Sequence, residues 1–208
     1  MTRVAVERSR ASILTADIIS GATLEVADLD AARSFYDRIF RDAGGAWQAQ
    51  SDALTYQAKD QKIAFVKVAE PRVLADSAQH QAYRVPRGRL QAIADEMEKA
   101  GLAPNWWHED HPSEGERSIY LHDPSGNRVQ LIAADGPGPL LEHFAFEVHN
   151  LEPISVFYLA VLGGTIDHYF GRNMDDYEAA KAWGGGNDPD AAPWTRFFPR
   201  GNSLNDHM

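Results

Sequence analysis

Cysteine is missing altogether from the 208 residues. That absence excludes a disulfide framework, an iron–sulfur cluster and a thiolate zinc site, and leaves histidine, carboxylate and amide groups as metal donors. Positive charge is scarce: 20 Lys and Arg stand against 30 Asp and Glu, a formal net charge of −10. So acidic a chain lacks the cationic face that nucleic acid or an anionic membrane requires of its main partner. Long apolar runs are missing too, and no stretch approaches the roughly 18 consecutive apolar residues of a membrane-spanning helix. The segment 1–20 is an N-terminal extension that breaks its apolar residues with Arg3, Glu7, Arg8, Arg10 and Asp17 instead of forming a signal-peptide core. Gly184-Gly185-Gly186 lacks the following Lys-Ser/Thr of a phosphate loop, and no Gly-x-Ser-x-Gly nucleophile turn occurs. These absences predict a soluble, cytoplasmic protein, and 44% hydrophobic residues are ample for a core.

What is present is a repeat. Residues 21–36 and 143–158 align with an offset of 122: Glu25 with Glu147, Val26 with Val148, Leu29 with Leu151, Phe35-Tyr36 with Phe157-Tyr158. A looser copy begins at His80, with Tyr83 and Val85 followed by Leu90, Ile93, Ala94 and Met97. Each copy opens with an alternating run that reads as a strand buried on one face. A helix stripe follows: Leu29, Ala32, Phe35, Tyr36, Ile39 and Phe40 in the first, Leu151, Ile154, Phe157, Tyr158, Val161 and Leu162 in the third. Asp28 and Asn150 stand where an N-cap belongs, and Gly44-Gly45, Gly101 and Gly163-Gly164 where the helices should stop.

Strands close each copy. Arg117 to Leu121 and Arg128 to Ala133 flank the turn His122-Asp123-Pro124-Ser125-Gly126-Asn127. Ala53 to Ala58 and Lys62 to Val68 flank a polar Lys59-Asp60-Gln61 turn. The predicted fold is α+β, built from repeated βαβββ modules. Residues 21–135 would form a first paired-module domain (modules 21–70 and 80–135), and residues 140–208 a third, incomplete module. Linkers fall at Glu70 to Gln79 and at Asp135-Gly136-Pro137-Gly138-Pro139.

A module that opens His-x-x-x-x-Val, continues in a Leu…Phe-Tyr helix and closes with Asp-Pro-x-Gly-Asn resembles the vicinal oxygen chelate superfamily. That group holds glyoxalases, fosfomycin and bleomycin resistance proteins and extradiol ring-cleaving dioxygenases. The match covers roughly residues 20 to 170 and is most specific over 117–131. The resemblance implies paired modules whose mixed sheets curl around a cleft, with a divalent metal held by residues of the first and last strand of each module. A metal with protein on one side keeps positions open for two neighbouring substrate oxygens.

Carried over by position, module one offers Gly21 and Ala64, neither of which can bind metal. Module two offers His80 and Gln130, the latter where the family usually has Glu. Module three offers His143, whose partners the resemblance places in a fourth module that this sequence lacks. His207, near the end of module three, would then take the place of an acid–base histidine. The expectation that follows is a dioxygenase-like oxidoreductase acting on a vicinal diol or catechol with Fe(II). The first alternative is a glyoxalase-like lyase or isomerase using His80, Gln130 and Zn or Ni. The second is a metal-free, resistance-type protein that binds a small aromatic molecule. Either the third module completes itself in a homodimer, two His143 facing one cleft, or the chain is a truncated product.

Other polar clusters read as structural. His108, Glu109, Asp110 and His111 form a solvated loop or cleft rim, His122 precedes its turn, and Trp106-Trp107 is strand packing or a stacking platform.

Overall fold

The computed structural model describes residues 19–73, 79–107, 118–136, 138–145, 157–162, 165–170 and 194–198. The chain divides into two compact units, Ile19–Glu147 and a second comprising Met1–Ile18 with Val148–Met208. Among the described residues no helix is long and apolar enough to cross a membrane.

The first unit begins with β1 (Gly21–Val26), α1 (Leu29–Phe40), β2 (Ala46–Ala49), β3 (Ala53–Ala58) and β4 (Gln61–Lys67). The same sequence of elements recurs as β5 (His80–Pro86), α2 (Leu90–Lys99), β6 (Asn105–Trp107), β7 (Ser118–His122) and β8 (Arg128–Ala134). A last strand, β9 (Leu141–Ala145), follows. The sheets have orders β1-β4-β3-β2 and β6-β7-β8-β5-β9. In each module the first and last strands pair in parallel and the rest in antiparallel fashion. This is the mixed α+β architecture of two βαβββ modules that the sequence predicts.

The helices form where the apolar spacing places them. Asp28 caps α1 by accepting from the amides of Asp30 and Ala31 at 2.8 and 2.9 Å. Ala32, Phe35, Tyr36, Ile39 and Phe40 are all buried, as are Leu90, Ile93, Ala94 and Met97 of α2. Helix α2 ends at Gly101, whose φ of +79° suits glycine and lets Leu102 N donate back to Met97 O. Both helix faces and the inner faces of both sheets join one core, in which Tyr36 and Phe40 of α1 meet Tyr83 of β5.

The Asp-Pro-Ser-Gly-Asn turn ties the modules together. Gly126 takes φ +92°, and the turn wraps Asp123, which accepts from Ser125 N, Asn127 N and Asn127 Nδ2. The turn then reaches into module one. Ala27 N donates to Ser125 Oγ at 3.0 Å, Asn127 Nδ2 donates to Glu25 O at 3.0 Å, and Tyr36 OH donates to Asp123 Oδ2 at 3.2 Å. Burial raises the Asp123 carboxyl above its ordinary range, against the lowering effect of these donors.

Gln61 departs from the sequence reading. It is buried in β4 rather than exposed in the turn, which consists of Lys59 (φ 51°) and Asp60. In the second unit, Thr165–Phe170 (β10) pairs antiparallel with Trp194–Phe198 (β11). Residues Phe157–Val161 form one π-helical turn, closed by Leu162 N donating to Phe157 O. Phe157, expected in an apolar stripe like that of Phe35, is 45% exposed.

Candidate metal centre

Strand register assembles the site. Ala82 of β5 lies opposite Gln130 of β8 on one side and His143 of β9 on the other. Side chains alternate along strands, so His80, Ala82, Gln130 and His143 share the sheet face opposite Tyr83 and Leu131, which enter the core. Ala82 is fully buried between Gln130 and His143, where its methyl is the smallest side chain of the four.

Three donor atoms converge there. His80 Nε2 lies 3.2 Å from Gln130 Oε1 and 3.3 Å from His143 Nε2. Atoms each about 2.1 Å from one ion are separated by about 3.0–3.4 Å in octahedral or tetrahedral geometry. The spacing therefore fits a shared divalent ion. A single proton on His80 Nε2 would serve one neighbour well and leave the other's lone pair unsatisfied.

The neighbours orient these lone pairs. Gln130 Nε2 donates to the buried Ser118 Oγ at 3.2 Å, which turns the amide oxygen toward His80. His143 Nδ1 meets Glu142 Oε2. With Nδ1–H donating to the carboxylate, a neutral His143 ring presents its Nε2 lone pair, the carboxylate–histidine pairing typical of metal ligands. A β-bulge makes this contact possible. Leu141 and His143 pair with the consecutive residues Tyr83 and Ala82, which leaves Glu142 as the extra residue and brings it beside His143.

Gln61 fixes β9. Its Nε2 donates to Leu141 O and to Ile19 O, and its Oε1 accepts from Leu141 N, each at 2.8 Å. A buried side chain thus pairs with Leu141 as a strand would, two residues before His143. Tyr120 of β7 stands edge-on to the His80 ring, with centroids 5.2 Å apart, and the Arg128 guanidinium lies 4.5 Å over the Tyr120 ring. Burial pushes the Tyr120 phenol up to about 12, against the lowering effect of Arg128.

The structure brings together His80, Gln130 and His143. The resemblance implies partners of His143 in a fourth module; in the structure β9 joins the second module's sheet and His143 lies beside His80. His207 and the cluster His108 to His111 lie outside the described residues. His122 is exposed at the end of β7, and Trp106 packs on the core. Ser118, Glu142, Gln61, Tyr120 and Arg128 were not singled out from sequence. Ser118 and Tyr120 alternate on β7, but linking them to Gln130 requires the β7–β8 register. Among the described residues no three His, Asp or Glu side chains gather as a metal set, because the third donor is an amide.

No family model matches the chain, and no curated relative matches it. Solved structures do. The fosfomycin resistance protein FosX of Mesorhizobium loti shares 20% identity over 57% of this chain and 93% of its own, with TM-score 0.46. A FosX variant from Listeria monocytogenes, complexed with Mn(II) and a dihydroxypropylphosphonic acid, shares 18% over 56% and 90%, also at 0.46. Lactoylglutathione lyase of Agrobacterium tumefaciens shares 18% over 56% and 92%, at 0.41. These overlaps are partial, at 56–57% of this chain.

Proposed function

We propose that the His80–Gln130–His143 face binds one divalent ion and, at the ion's open positions, a small molecule with two neighbouring oxygens, which it converts by lyase- or isomerase-type chemistry. The observation that carries this reading is the approach of Gln130 Oε1 and His143 Nε2 to His80 Nε2, at 3.2 and 3.3 Å. A bound divalent ion supplies Lewis acidity, which stabilises negative charge on an enolate or alkoxide oxygen. The chain's own part is to hold the two imidazoles and the amide in fixed rotamers through Glu142 and Ser118, and to keep one side of the site packed with protein.

The donor set bears on which metal. Ferrous oxygen chemistry suits two histidines and a carboxylate, and here the carboxylate of Glu142 is engaged on His143 Nδ1 while an amide faces His80. Zn or Ni is therefore the better reading than Fe(II), and the lyase or isomerase reading stands ahead of the ring-cleaving dioxygenase. A small vicinal-oxygen substrate is part of this proposal. Self-association is not required by it, since His143 meets His80 of its own chain.

The test is metal analysis of purified protein, followed by NMR of proton–deuterium exchange at carbon next to a carbonyl. About one Zn or Ni per chain and exchange lost on chelation are expected. Protein that takes up no divalent metal would be a binder, and the proposal would fall.

A further inference from the structure

Arg128 differs from five described arginines of the first unit that meet carboxylates, and from Arg38, which donates to Ser34 O. Arg33, Arg41, Arg72, Arg87 and Arg89 each meet a carboxylate. Arg128, among the described residues, meets none and rests on the Tyr120 ring at 4.5 Å. In a chain with net charge −10, a half-exposed guanidinium without an acidic partner is available to an anion.

Its position gives that availability a purpose. Arg128 precedes Gln130 by two residues on β8 and so projects from the same face. The Arg128 guanidinium lies over Tyr120, a ring that in turn stands against His80, and this contact leaves N–H groups at its rim. The protein donors His80, Gln130 and His143 carry no negative charge and the Glu142 carboxylate on His143 Nδ1 is the one acidic group in contact with them among the described residues, so a bound divalent ion would keep a net positive charge near this second cation. Both favour an acidic substrate over a neutral one.

We propose that Arg128, held on Tyr120, is an oxyanion subsite, and that the site takes vicinal-oxygen compounds carrying an acid group rather than neutral diols or catechols. This rests on the metal reading above. The chemistry recognised is a planar or tetrahedral oxyanion, held through charge-assisted N–H donors.

The experiment is calorimetry on full-length protein, wild type and Arg128→Met, in three steps. Zinc is titrated first. Glycolate, inorganic phosphate and catechol are then titrated into the zinc-loaded protein. Zinc affinity should stay within about threefold in the variant, which also reports that the sheet is intact, while an oxyanion loses about tenfold or more. Catechol affinity should change less than about twofold, and Arg128→Lys should recover part of the loss. A loss larger for glycolate than for phosphate assigns a carboxylate, and the reverse assigns a phosphate-like group. Equal loss for oxyanions and catechol, no loss for either oxyanion, or a wild type that prefers catechol overturns the subsite while the metal reading stands. Wild-type protein that binds no zinc overturns both, and the first titration alone identifies that outcome.

Discussion

The two modules of the first unit repeat one topology and differ in what they carry at matched positions. Where β5 and β8 place His80, Ala82 and Gln130, β1 and β4 place Gly21, Thr23 and Ala64, at the same parallel register. Module one cannot acquire the missing histidine by simple substitution, because a Cβ at Gly21 would lie 2.1 Å from Lys62 O. Module two holds its donors because the strand beside β5 is β9, which brings His143 and Glu142. The βαβββ frame supplies positions, and donor groups gather where small backbone differences leave room for them and a neighbouring strand adds one more.

The comparison can be broken most severely at the donors. Replacing His143 by Ala removes one of three lone pairs, and zinc affinity measured by competition with a chromophoric chelator should fall at least about 100-fold. The same change at Thr23, on the matched sheet face of module one, should leave zinc affinity unaltered. Next comes Gly21→Ala. The clash with Lys62 O must push β1 from β4, and chemical denaturation should show a loss of about 2 kcal/mol.

A smaller effect is expected at Glu142. Glu142→Ala leaves the imidazole in place but frees its tautomer and orientation, so zinc affinity should fall about 10-fold. If affinity is unchanged, the bulge contact does not orient His143. The smallest effect concerns module one alone. Arg72 donates to Glu25 from both its guanidinium and its backbone amide, and these bonds hold the Glu25 carboxyl at about 2 against an ordinary 4.5. A lowered folded-state value contributes stability that is present above the ordinary value and is lost as pH falls from about 4.5 toward 2. Arg72 is largely solvated and Glu25 partly so, and solvent screening makes the contribution slight. Carboxyl-carbon NMR of Arg72→Ala should return Glu25 toward its ordinary range.

The sequence made much of this frame readable because periodicity and caps are local properties. The stripe from Leu29 to Phe40, the cap at Asp28 and the turn at Asp123 to Asn127 each follow from residues within a few positions of one another. The site was half legible. His80, Gln130 and His143 stood out as donor types at recurring positions, but which strands are neighbours is a long-range fact. The bulge at Glu142, the Ser118 bond to Gln130 and the Arg128–Tyr120 stack all depend on register between β5, β7, β8 and β9. Gln61 was hidden for a related reason: a polar residue after Lys59-Asp60 reads as turn, and its burial depends on a backbone partner at Leu141.

X-ray absorption at the zinc edge of the loaded protein tests the central claim most directly. A first shell of nitrogen and oxygen near 2.0–2.1 Å is expected, with outer-shell scattering from two imidazoles that drops to one in His80→Ala. A wild-type spectrum with no imidazole scattering, or one unchanged by His80→Ala, would contradict a shared ion between β5, β8 and β9.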